Sequence, residues 1–176
     1  VSTADGRGEV VIPVSSSKMN DLLYDRWIRQ RAADVEKWSG GRLGYVHIRK
    51  MNDGSFRPVY SDVMGKYYKC DGIVIDTRFN GGGRMHEDVE VLFSGHKYLT
   101  QMVRGREMCD MPSRRWNKPS IMLTCEANYS NAHGTPWVYS TMKLGKLVGA
   151  PVPGTMSSVN WITMQDETMV FGVPVV

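Results

Sequence analysis

The sequence predicts an α/β fold built on a mainly parallel sheet flanked by helices, and three observations carry that reading. Two apolar runs, Gly72-Ile73-Val74-Ile75-Asp76 and Ser120-Ile121-Met122-Leu123-Thr124, lack polar alternation, as strands do when both faces of their sheet are covered. Each run passes straight into a segment rich in turn residues and then into a stretch of helical character, the order expected of strand–helix units. Between strands, Phe56, Val59, Tyr60, Val63, Met64 and Tyr67 recur at i, i+3, i+4, i+7, i+8 and i+11, which is one face of an amphipathic helix.

The elements follow in chain order. Residues 1–18 read as an incoming segment, with a short strand at 9–14 and a linker at Ser15-Ser16-Ser17. Asn20 or Asp21 then caps a helix. Tyr24, Trp27, Ile28, Ala32, Val35 and Trp38 form its apolar face, and Gly40-Gly41 ends it. A strand covers 43–48 and contains His47, whose simplest role is that of a hydrogen-bonded structural imidazole. The amphipathic helix and the strand at 72–76 come next. A helix is expected over about 85–93, irregular chain over 104–118, a strand at 120–124 and a helix starting near Ser130. Residues 146–150 form another short strand. Two β-rich pieces, around Trp161 and Val170, close the chain.

Composition bounds the function. At 176 residues, 41% hydrophobic and 23% charged, the chain has the makeup of one ordinary globular domain. No apolar run approaches the roughly 20 residues of a membrane-spanning helix, so membrane insertion is not expected. The net charge of +4 is spread thinly, with no basic run beyond Arg114-Arg115. A nucleic-acid partner needs clustered cations and is not expected either. Cys70, Cys109 and Cys125 are odd in number and lack CxxC spacing, which argues against a disulfide framework or a zinc site. Cys125 reads as a buried structural thiol. His86, Glu87, Asp88, Glu90 and His96 could suggest a metal, but they read more simply as a solvated helix face. No cofactor or metal is called for.

Two strand-to-helix corners carry the chemistry. The first is Asp76-Thr77-Arg78-Phe79-Asn80-Gly81-Gly82-Gly83. The second is Glu126-Ala127-Asn128-Tyr129-Ser130-Asn131-Ala132-His133. The glycines lack the pattern of a dinucleotide or Walker loop. A glycine N–H with no side chain in front of it can instead face a reacting carbonyl, and a serine at a helix start lies beside amide groups that stabilise an anion. A nucleophile at one corner and an oxyanion donor at the other describe acyl transfer. A base is then required, and His133, three residues after Ser130, is a candidate.

These residues resemble a known family. Gly41-Arg42-Leu43-Gly44-Tyr45-Val46-His47-Ile48, the Arg78-Phe79-Asn80-Gly81-Gly82-Gly83 element and Asn128-Tyr129-Ser130-Asn131 look like the catalytic core of tricorn-type serine peptidases, relatives of the C-terminal processing peptidases. The resemblance runs from about residue 20 to the end. It implies a Clp-protease/crotonase-like fold, Ser130 as nucleophile, and the backbone N–H groups of Gly83 and Asn131 as oxyanion hole. Position 131 is often Asp in the family, a change of little weight if only the main chain donates. In the tricorn branch the base is a histidine ahead of a PDZ domain and its carboxylate follows the serine. In the processing branch the base is a lysine about 25 residues after the serine. Here that region reads Pro153-Gly154-Thr155-Met156-Ser157, without lysine, which favours the tricorn branch.

The resulting expectation is a serine endopeptidase core at 19–176, truncated at its C-terminal end. Residues 1–18 would be the exit from a PDZ-like domain, and the base and carboxylate would come from outside the segment. The substrate would be a peptide or unfolded protein. Homo-oligomerisation stays open, and an exported location is favoured over a cytoplasmic one. Two alternatives remain: a crotonase-like acyl-thioester enzyme, and a non-catalytic peptide-binding module.

Overall fold

A computed structural model describes residues 4–6, 8 and 12–175. Its centre is a four-stranded, wholly parallel sheet in the order β1 (Leu43–His47), β2 (Gly72–Asp76), β5 (Ser120–Thr124), β6 (Lys146–Gly149). Helices connect the strands: α1 (Ser16–Ser39) leads in, and α2 (Asp53–Ser61), α3 (His86–Phe93) and α4 (Asn131–Thr141) follow successive strands. Two antiparallel hairpins lie outside the sheet, β3 (Leu99–Val103) with β4 (Arg106–Met111), and β7 (Val159–Thr163) with β8 (Val170–Pro174).

The α/β class and the parallel sheet agree with the sequence reading. All five residues of β2 are buried, as a strand without polar alternation requires. One sheet face contributes Val46, Ile48, Ile73, Ile75 and Met122 to a core completed by Val59, Val63, Val89, Leu92, Phe93, Trp116, Ala132 and Tyr139. The amphipathic helix is α2, and its periodic face runs on through a π-turn at Asp62–Lys66. The extra residue lets the Tyr67 N–H reach back to the Asp62 carbonyl at 2.8 Å. The Tyr67 ring then lies over β1 at Gly44, where a Cβ would stand 2.6 Å from the ring.

Three expectations are corrected. The first helix begins at Ser16 rather than after 20, because the Ser15 side chain accepts from the Lys18 N–H and caps it; Ser15-Ser16-Ser17 is therefore a helix start and no linker. Its apolar face is half-buried as expected, except Trp38, which is 78% exposed. The stretch 104–118 is not wholly irregular. Arg104 (φ 49°) and Gly105 (φ 76°) form a tight turn between β3 and β4, the positive-φ pair that joins hairpin strands. Both strands are largely exposed, so no apolar alternation marked them. Of the strand expected at 9–14, residues 9–11 lie outside the described residues, and 12–14 form no strand.

The opposite sheet face is polar at its C-terminal edge. Asp76 is fully buried and accepts from Tyr45 Oη at 2.7 Å, the Arg78 N–H at 3.0 Å, and Arg78 Nε and Nη2 at 2.9 and 2.6 Å. His47, side chain 1% exposed, stands beside it with Nδ1 3.8 Å from Oδ1, beyond hydrogen-bond length; its Nε2 pairs with Tyr24 Oη at 2.8 Å. Helix α1 docks here. Trp27 meets the rings of His47 and Phe79 edge-on, and the Arg78 guanidinium lies over its ring. Burial works to raise the Asp76 pKa; His47, Arg78 and Tyr45 outweigh it and hold the carboxyl well below the usual range.

A carboxylate depressed in the folded state stabilises fully above its unfolded value, near 4, and that stabilisation is lost as pH falls toward the folded value. Asp76→Asn should cost about 3 kcal/mol at neutral pH, since it leaves Arg78 without its charged partner. It should also flatten the decline of stability below pH 4. Urea unfolding at pH 7 and pH 3 measures both, and equal stability at pH 7 would show that the cluster does not hold α1 to the sheet.

Candidate active site

The two corners meet at the C-terminal ends of β2 and β5. The first leaves β2 through Thr77 and turns at Phe79, Gly82 and Gly83, whose φ angles are 64°, 94° and 142°. Residues 82–84 then strap onto Met51: the Met51 N–H donates to the Gly82 carbonyl at 3.0 Å, and the Arg84 N–H donates to the Met51 carbonyl at 2.7 Å. The second corner leaves β5 through Cys125 and Asn128 and reaches Ser130, the residue before the first turn of α4.

Ser130 has φ 54° and ψ −124°. A side-chain-bearing residue adopts such a backbone only where its surroundings impose it, at about 1–3 kcal/mol. A serine in a strained strand-to-helix turn is the arrangement of a nucleophile elbow, which exposes the hydroxyl beyond the end of the sheet. Gly82 makes this corner sterically admissible. A Cβ on it would come within 2.7 Å of both Ser130 Cβ and the Tyr129 carbonyl oxygen, and 3.2 Å from the Asn131 nitrogen. The sequence reading overlooked Gly82. A Cβ on Gly83 would stand only 2.0 Å from the Met51 carbonyl oxygen.

The pattern of satisfied amides is selective. At the first corner the Gly82 N–H donates to Asn80 Oδ1 at 2.8 Å and the Arg84 N–H to Met51, but Gly83 between them has no acceptor among the described residues. At the second, the Ser130 N–H reaches Thr155 Oγ1 at 3.4 Å and the Ala132 N–H reaches the Tyr129 carbonyl at 3.0 Å, but Asn131 between them has none. Asn131 is buried, and a buried amide is rarely left without an acceptor, whereas Gly83 is exposed. These two line a cleft of about 560 Å³, together with Ser130, Arg84, His86, Glu87, Asp88, Tyr129, Met156 and Trp161. The N-terminus of the 11-residue α4 adds its positive end to the same place.

Side chains complete the frame. Asn131 Oδ1 accepts from the Met85 and His86 N–H groups at 2.9 and 3.0 Å, which fastens α3 to α4. Thr155, 25 residues after Ser130, occupies the region where a processing-type lysine was sought, and it bonds to the serine's own amide. Cys125 is buried; its sulfur accepts from the Phe79 N–H and donates to Asn128 Oδ1, a structural thiol. His133 does not line the cleft, and its Nδ1 is occluded without a partner among the described residues. No histidine among them hydrogen-bonds to the Ser130 hydroxyl. His47 belongs to the Asp76 cluster instead.

Residues 42–175 match Peptidase family S41. A tricorn protease homolog of Saccharolobus solfataricus is 27% identical over 155 residues, which is 85% of this chain and 14% of the relative. Tricorn protease homolog 1 of Streptomyces coelicolor is 25% identical over 154 residues, 88% of this chain and 14% of the relative. The chain thus spans about one seventh of the length of these relatives. Among solved structures, the tricorn protease superposes with a TM-score of 0.72 at 21% identity, covering 83% of this chain and 14% of the other. The photosystem II D1 C-terminal processing protease gives 0.56 at 17% identity, covering 76% and 36%. Both share the fold, and with well over half its length matched, the chain belongs to peptidase family S41.

Proposed function

We propose that this chain is the nucleophile-bearing core of a serine endopeptidase acting on peptides or unfolded segments. The observation that carries the reading is the pair of acceptor-free amides, Gly83 and Asn131, each between satisfied neighbours, on residues that line one cleft with the strained Ser130. Ser130 Oγ attacks the peptide carbonyl carbon and gives its proton to a base. The developing oxyanion takes the Gly83 and Asn131 N–H groups, and the tetrahedral adduct collapses to an acyl-enzyme and a free amine, which leaves with a proton. Water then repeats the sequence on the ester. A thioester enzyme of related fold uses two such amides but has no need of a serine held in a strained backbone.

The base is proposed to come from outside the described residues. His86 is the histidine that lines the cleft, but the amide of Asn131 occupies its Nδ1 at 2.7 Å. His133 faces elsewhere.

Ser130→Ala in the full-length protein should abolish peptide turnover with the fold retained, because loss of a nucleophile costs several orders of magnitude. More than about a tenth of the activity remaining would refute the assignment.

Gly83→Val should lower turnover by about 100- to 1,000-fold, the worth of one oxyanion donor. Its route is displacement of the 82–84 strap from Met51. Unchanged turnover in a folded variant would place the donor elsewhere.

Residues 1–176 assayed alone should be essentially inactive, while a form extended at both ends cleaves the same peptide. Comparable turnover by the two, abolished by His133→Ala, would make His133 the base.

A further inference from the structure

Asn131 settles the chemical state of an imidazole that the peptidase reading leaves idle. Its side-chain amide has one accepting end and one donating end. Two backbone N–H groups, of Met85 and His86, converge on one end at 2.9 and 3.0 Å, so that end is the oxygen. The other end is therefore the NH₂, and it lies 2.7 Å from His86 Nδ1. An amide NH₂ can only donate, so Nδ1 accepts with its lone pair. In a neutral imidazole the ring proton is then on Nε2. Nε2 has no partner among the described residues, and it is not one of their occluded unpaired atoms.

His86 lines the cleft that holds Ser130, Gly83 and Asn131. We propose that His86 is a substrate-binding residue, held by Asn131 as the uncharged Nε2–H tautomer, that donates a hydrogen bond to a carbonyl oxygen of the bound peptide. The identity of the ligand rests on the peptidase reading; the tautomer does not. A carbonyl suits the site better than a carboxylate, because Glu87 and Asp88 line the same cleft against the single guanidinium of Arg84. The same geometry removes His86 as a general base, since its one free lone pair is engaged by Asn131 and Nε2 carries hydrogen.

Two measurements test this. The first is ¹⁵N NMR of histidine-labelled protein at pH 8, where an ordinary imidazole is neutral, with His86→Gln used to assign the resonance. His86 should show a bare Nδ1 and a protonated Nε2. Asn131→Asp, whose carboxylate can only accept, should move the proton to Nδ1. A bare Nε2 in the unmodified protein overturns the tautomer. The second is peptide kinetics on the full-length protein. His86→Ala should raise KM about 3- to 10-fold, the worth of one hydrogen bond, with kcat within twofold, and His86→Gln should recover most of the loss because it keeps a donor. An unchanged KM in His86→Ala, with Ser130→Ala inactive, overturns the substrate contact and leaves the peptidase reading intact. Undiminished turnover in Ser130→Ala, or none in the unmodified full-length protein, overturns the peptidase reading and the substrate contact with it, and the NMR still decides the tautomer.

Discussion

The buried amide of Asn80 joins the three loops from which the cleft is built. Asn80 is fully buried, and each of its polar groups is used in a different direction. Nδ2 donates to the Ile48 carbonyl at 2.7 Å, just beyond β1. Oδ1 accepts from the Gly82 N–H at 2.8 Å, which bends its own loop into a tight turn. Its backbone carbonyl accepts from the Tyr129 N–H at 3.0 Å, one residue before Ser130. The loops after β1, β2 and β5 thus share one residue. Asn80 itself is fully buried, where a lost partner costs about 1–3 kcal/mol, so the loops are held in register more tightly than their irregular backbones suggest.

That register is what makes the strain at Ser130 sustainable. An unfavourable backbone persists when its surroundings over-determine it. Tyr129 is held by Asn80, the Ser130 amide by Thr155, and the Ser130 carbonyl by the His133 N–H at 2.8 Å. Asn128 adds a second staple, donating to Thr77 Oγ1 at 3.0 Å and to the Ala132 carbonyl at 3.3 Å, while Thr77 Oγ1 donates to the Leu123 carbonyl. Gly82 leaves room for the serine corner to close against the first loop. With the neighbouring amides consumed, the Gly83 and Asn131 N–H groups stay free to meet a ligand, already fixed in place. Such preorganisation is what the oxyanion role proposed for them requires, since the donors would need no reordering as charge develops.

Most of the fold was legible because its signals are local. The apolar runs of β2 and β5, the 3.6-residue period of α2 and the glycines after α1 each specify their element from within a few residues. The β3–β4 hairpin was missed because its strands face solvent and show no apolar alternation; the one cue was Arg104-Gly105. The N-terminal boundary of α1 was missed because three consecutive serines offer three caps. At the site, Ser130, Gly83 and Asn131 could be named from the two corners and the family resemblance. Gly82, Asn80 and Thr155 could not. Gly82 matters through contact with a residue 48 positions away, Asn80 through three loops that meet only in the fold, and Thr155 through a bond to a residue 25 positions back. The Asn131–His86 pair was hidden for the same reason, since nothing in a helix-start histidine announces an amide donor 45 residues along the chain.

The central claim is that a strained Ser130 and two reserved amides converge on one reacting carbonyl. A crystal structure of the full-length protein after reaction with a fluorophosphonate tests it most directly, because the phosphonyl group imitates the tetrahedral adduct. The account predicts a covalent bond from Ser130 Oγ to phosphorus, with the phosphonyl oxygen about 3 Å from the Gly83 and Asn131 nitrogens. Modification of a different residue, or an adduct on Ser130 whose oxygen turns away from both amides, would contradict it.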